Sequence, residues 1–234
     1  MKVIISKEGK EIFQAALMKT GVFAKRSRYL PILNGILCTV TFDEIKLTGS
    51  TRQESYTYCI PIGNGITVEA EGSAVIPHSI ENIVKKLKKD IHFEHQNNKL
   101  NMRSGKSKFE LICMDSEEYP SVNLIEDTSS QITLDTKLFK EELAKVAFAA
   151  ADQATRPILQ GVLIQKKNDS LEFLCTDSHR LALMKSPMSG KETFQFVFPA
   201  KELAQSFSKL MDDSYDVMLI VNERLNTVTN SKPD

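Results

Sequence analysis

Two short runs hold residue types able to do covalent or metal chemistry. Asp177-Ser178-His179 carries the three side chains of a hydrolase triad, and His92-Phe93-Glu94-His95 carries two imidazoles and a carboxylate suited to a metal ion. A triad needs nucleophile, base and orienting acid in one hydrogen-bonded line, which three consecutive residues on a strand or turn seldom form. No Gly-x-Ser-x-Gly elbow accompanies the first run. His92 and His95 point to opposite faces of a strand, and their spacing is not that of His-Glu-x-x-His. A hydrolase built on Asp177 and His179 is therefore the weakest functional reading. Without a Gly-x-x-x-x-Gly-Lys-[Ser/Thr] loop, nucleotide binding is not expected, nor is any cofactor or metal. Cys38, Cys59, Cys113 and Cys175 are too widely spaced for a zinc site or a disulfide framework.

Charge is more informative. The 234 residues carry 30 Lys+Arg and 30 Asp+Glu, so attraction to a polyanion has to arise from local segregation of cations. No apolar run approaches the roughly 18 residues of a membrane span, and the start lacks a signal-peptide core, which predicts a cytoplasmic protein with no membrane partner. Lys85-Lys86-Leu87-Lys88-Lys89 has no aromatic anchor for a bilayer surface.

The elements that position these groups occur twice. Leu30-Pro31-Ile32-Leu33-Asn34-Gly35-Ile36-Leu37 returns 126 residues later as Arg156-Pro157-Ile158-Leu159-Gln160-Gly161-Val162-Leu163, with six of eight positions identical or near-isosteric. Val75-Ile76-Pro77 precedes an amphipathic stripe of Ile80, Ile83, Val84 and Leu87. Val197-Phe198-Pro199 likewise precedes Leu203, Ala204, Phe207, Leu210 and Met211. Proline at the first helical position is expected in both. Each unit opens with a short strand and a helix, Val3–Ser6 before Ile12–Val22 and Gln131–Leu134 before Leu138–Ala149, with Asp135 as N-cap. Further strands are expected at 36–42, 45–50, 54–61 and 66–76, and at 161–166, 171–176, 180–185 and 193–198. This is an α+β protein of tandem units, each an antiparallel sheet with two helices on one face. The unit boundaries expected are 1–122 and 131–234, joined by a polar linker at 123–130. The second unit stops where its last strand should begin, which would leave an unpaired edge and predicts a chain cut short.

Together, Pro-Ile-Leu-Asn-Gly at 31–35, Leu-Thr-Gly at 47–49, Arg-Ser-Gly-Lys-Ser-Lys-Phe at 103–109, Glu-Glu-Tyr-Pro at 117–120, Thr-Arg-Pro-Ile-Leu at 155–159 and Thr-Asp-Ser-His-Arg-Leu-Ala at 176–182 resemble the bacterial sliding clamps, the beta subunits of DNA polymerase III. The resemblance covers essentially the whole chain and implies tandem DNA-clamp domains, with the family's third domain absent. It implies a non-enzymatic processivity factor that surrounds double-stranded DNA in a self-associated ring. Its partners would be the polymerase, the clamp loader and other proteins carrying a clamp-binding motif. A ring holds DNA by topology, so its wall needs only weak, sequence-indifferent attraction to phosphate. The resemblance assigns that role to Lys140, Gln153 and Lys201, and more approximately to Lys25, Arg26 and Arg28. It also assigns one wall of a peptide cleft to Arg156, Leu159, Thr176, Ser178, His179, Arg180 and Leu181. Leu159 and Leu181 would be the apolar floor, and Thr176, His179 and Arg180 the polar guides. Lacking the facing domain-three wall, the cleft should bind weakly. Ser178 stands where the family usually has glycine, so a left-handed turn there would be strained. The alternative within the family is a partial clamp that regulates or inhibits a full-length one.

Overall fold

The computed structural model describes residues 1–24, 30–51, 55–120, 130–153, 156–190, 193–211, 216–221 and 226–231. The expected linker at 123–130 lies outside these residues except for Ser130. The chain divides into two compact units, Met1–Val122 and Asn123–Asp234.

The first unit runs β1 (Lys2–Ile5), α1 (Lys7–Gly21), β2 (Gly35–Val40), β3 (Glu44–Ser50), β4 (Ser55–Pro61), β5 (Ile66–Ala70), β6 (Gly72–Pro77), α2 (Ile80–Lys86), β7 (Ile91–Gln96), β8 (Lys99–Ser104) and β9 (Ser107–Ile112). Helix α1 starts five residues before the expected Ile12. Ser6 caps it, the hydroxyl accepting from the N–H groups of Glu8 (3.2 Å) and Gly9 (3.4 Å). The helix buries Phe13, Ala16, Leu17 and Thr20 and packs on β3, β4 and α2, while Ile12 and Met18 remain exposed.

The strands are antiparallel, but they form two sheets, ordered β5-β1-β7-β8-β9 and β4-β3-β2-β6. The run expected as one strand at 66–76 is two: β5 pairs with β1, and after Glu71 β6 pairs with β2 in the other sheet. Hydropathy alternation cannot reveal this break, because both halves present an apolar face to the same core. That core joins Val3, Ile5, Phe13, Phe93 and Met102 with Ile36, Ile45, Leu47 and Ile76.

The second unit repeats the plan with β10 (Ser130–Asp135), α3 (Thr136–Val146), β11 (Gly161–Lys167), β12 (Ser170–Thr176), β13 (Leu181–Pro187), β14 (Phe194–Pro199), α4 (Ala200–Glu202), a π-helical stretch (Leu203–Phe207), α5 (Ser208–Leu210), β15 (Asp216–Val221) and β16 (Asn226–Ser231). Its sheets are β13-β12-β11-β14, matching β4-β3-β2-β6 strand for strand, and β10-β15-β16, matching β1-β7-β8. Asp135 caps α3, its Oδ1 accepting from the Leu138 N–H at 2.7 Å. The core centres on Phe139 and Phe173, both fully buried and edge-to-face at 5.9 Å between ring centroids.

The repeated motif has a packing reason. Pro31–Asn34 and Pro157–Gln160 are 3-10 turns, and each delivers a glycine opposite a proline of the partner strand, Gly35 to Pro77 and Gly161 to Pro199. A Cβ on Gly35 would meet Val75 Cγ1 at 2.5 Å, and one on Gly161 would meet Val197 Cγ1 at 2.4 Å. Pro77 and Pro199 thus close strands. Contrary to the expected N1 placement, α2 begins three residues beyond Pro77, while Pro199 is the N-cap of α4.

His95 sits on β7 with its backbone N–H donating to the Met1 carbonyl (2.9 Å) and its buried Nε2 without a partner among the described residues. Burial, aided by the Met1 amino group, lowers its pKa from the usual value of 6.5. Below pH 6.5 the unfolded chain takes up this proton first, so stability present above that pH is lost as the pH falls towards the folded-state value. Urea unfolding between pH 8 and 5 is expected to show a falling midpoint that flattens in His95→Gln; an equal fall in both proteins would refute the assignment.

Candidate functional site

Both candidate surfaces with described residues lie in the second unit. Lys140 projects from α3, which turns Phe139, Leu143 and Val146 into the core, and its Nζ donates to the Met211 carbonyl at 2.8 Å. Lys201 lies in α4, its Nζ bonded to the Asp152 carboxylate. Gln153 is exposed beside Asp152. Lys25, Arg26 and Arg28 lie outside the described residues.

Asp177, Ser178, His179 and Arg180 form the turn joining β12 and β13. Asp177 Oδ1 accepts from the N–H groups of His179 (3.0 Å) and Arg180 (2.9 Å), and Oδ2 accepts from Arg180 Nε (2.9 Å). These donors, Arg180 backbone first, hold its carboxyl below the usual aspartate range. The carboxylate is therefore occupied in closing its own turn. The Thr176 hydroxyl donates to the Arg180 carbonyl (2.8 Å) and accepts from the Ser178 N–H (3.2 Å). Ser178 has φ 78°, the left-handed conformation that glycine adopts freely and that costs a serine about 1 kcal/mol.

The turn Pro157–Gln160, carrying half-buried Leu159, packs against β11 and β12, and a second 3-10 turn, Ala147–Ala149, packs against β12 and β13. Arg180 lies over the Phe148 ring, 5.7 Å from its centroid. Arg156, His179 and Leu181 are exposed at this end of the sheet. Two further apolar side chains belong here that sequence reasoning missed: Phe148 is 63% exposed and Ile158 62%, close to the 61% of Leu181. Phe148 had a signal, since it lies off the Phe139, Leu143, Val146 stripe. Ile158 had none, because its counterpart Ile32 is only 9% exposed, packed in a cluster with Leu33, Val75 and Tyr119.

On β7, His92 pairs opposite Arg103 and His95 opposite Leu100. Among the described residues no three His, Cys, Asp or Glu side chains are grouped to hold a metal, and no helix is long and apolar enough to cross a membrane.

The chain matches the family models for the DNA polymerase III beta subunit N-terminal domain over residues 1–124 and central domain over residues 133–232. It is 36% identical over 201 residues to the beta sliding clamp of Bacillus subtilis (strain 168), covering 82% of this chain and 53% of that protein. Against the beta sliding clamp of Streptococcus pneumoniae serotype 4 the identity is 33% over 213 residues, covering 87% and 56%. The crystal structure of the DNA polymerase III beta chain of Streptococcus pneumoniae TIGR4 superposes with a TM-score of 0.86 at 30% identity, covering all of this chain and 65% of that one. The DNA polymerase sliding clamp of Bacillus subtilis gives 0.85 at 30% identity, covering all of this chain and 66% of that one. The chain thus spans about half the length of the curated relatives it matches.

Proposed function

The chain belongs to the DNA polymerase III beta subunit family, and from that premise we propose that it is a DNA sliding clamp subunit, a non-enzymatic cytoplasmic processivity factor. It surrounds duplex DNA and tethers the polymerase, the clamp loader and other proteins with a clamp-binding motif. The carrying observation is one two-sheet topology occurring twice, with the second copy setting Lys140 and Lys201 on its helices in a chain of zero net charge. Such a wall attracts phosphate without reading sequence or gripping the duplex. Peptide docking fits the exposed Phe148, Ile158 and Leu181 beside the Asp177–Arg180 turn. Ring assembly fits β9, the outer strand of its sheet among the described residues, which exposes Phe109 and Ile112.

Labelled duplexes of unrelated sequence are expected to bind with one affinity, with log K falling linearly in log salt. Lys140→Gln with Lys201→Gln should reduce that slope by between about 0.9 and about 1.8, each contact contributing at most about 0.9. Sequence-dependent binding, or a slope untouched by the double variant, would contradict the proposal.

A further inference from the structure

Lys201 meets Asp152 across 49 residues of sequence. Exposed ion pairs usually contribute little, because two mobile side chains must be held together in water. One side of this pair is anchored. The Ala151 N–H donates to the Leu159 carbonyl at 2.9 Å, and Gln160 Nε2 donates to the Asp152 carbonyl oxygen at 3.1 Å. The backbone on which the carboxylate rides is thereby fastened to the Pro157–Gln160 turn. Lys201, and after it the more remote Arg180, keep the Asp152 carboxyl below the usual aspartate range against the opposing charge of Asp177. The pair is open to solvent, with side chains 41% and 84% exposed, so a phosphate can reach the ammonium and the released carboxylate can return to water.

We infer that Asp152 is a built-in competitor for phosphate, occupying Lys201 in the absence of DNA so that a duplex gains this contact only by displacing a carboxylate already in place. It sets how weakly the wall holds DNA: a cation with a waiting counter-charge exchanges phosphates at little net gain, as sliding requires. The inference rests on reading Lys201 as a phosphate contact.

The test is a thermodynamic cycle on the full chain, with a labelled 20-base-pair duplex at salt concentrations from 50 to 200 mM. Asp152→Asn is expected to tighten binding about three- to tenfold at low salt and to steepen the salt slope by part of the about 0.9 that one phosphate contact contributes, Lys201 supplying the remainder in the unmodified chain. Asp152→Glu should retain wild-type affinity. In the Lys201→Gln background most of the Asp152→Asn gain should vanish, leaving the small increment of one removed charge. If Lys201→Gln weakens binding while Asp152→Asn gives no gain, or the same gain in both backgrounds, the competitor role is overturned and the clamp reading stands. If Lys201→Gln changes neither affinity nor slope, both the competitor role and the assignment of Lys201 to DNA fall.

Discussion

Gly49→Ala is expected to destabilise the first unit by about 3 kcal/mol, the upper end of what one inserted methyl costs in a packed interior. Gly49 lies on β3 where α1 ends, and a Cβ there would sit 2.1 Å from the Thr20 carbonyl oxygen and 2.9 Å from its carbon. Both are backbone atoms, so no rotamer change relieves the clash. The end of α1 would have to lift from the sheet, exposing Leu17 and Thr20, both fully buried. Gly21→Ala, also at the end of α1, is the control, because the nearest atom to its added Cβ is the mobile Glu81 Oε2 at 3.6 Å. Thermal unfolding of the two variants should differ by many degrees, and equal midpoints would refute the close approach.

Leu181→Asp is expected to leave thermal stability unchanged and to reduce affinity for a clamp-binding-motif peptide by about ten- to a hundredfold, the equivalent of losing one buried leucine at 1.5–3 kcal/mol. Leu181 is 61% exposed, so folding gains little from it, and its apolar surface is available to a ligand. Phe148→Ala should act in the same direction and also release Arg180 from the ring. Phe173→Ala gives the converse pattern, a loss of about 3–5 kcal/mol of stability, since its side chain is fully buried. Peptide titrations by fluorescence anisotropy beside thermal melts separate the two classes. A stability loss in Leu181→Asp, or unchanged peptide affinity, would remove this surface from the proposed function.

The two units use the same motif for different ends. In the first, Ile32 and Leu33 are buried in a cluster with Tyr119. In the second, Ile158 is exposed and Leu159 half-buried. Among the described residues, the same motif is thus packed in a cluster in the first unit and open to solvent at Ile158 in the second. Open apolar area of this kind, bordered by polar groups that fix direction, is what an extended peptide needs.

The duplication, the antiparallel α+β class, the Asp135 cap and the family are legible in the chain alone, because each depends on short-range pattern: a repeated octapeptide, alternating strands and a helical stripe. So is the strain at Ser178, whose left-handed φ of 78° follows from a turn tight enough to favour glycine. Other features depend on which distant segments meet in the folded units. The break at Glu71 that splits one apparent strand between two sheets is invisible locally, since both halves face the same core. The bonding of Lys201 to Asp152, the fastening of residues 151 and 152 to the Pro157–Gln160 turn, and the different burial of Ile32 and Ile158 likewise follow from the closure of long loops around those cores. Pairwise contacts of that range leave no periodic trace in the chain, so residue identity named the candidate groups while packing fixed their neighbours and their access to solvent.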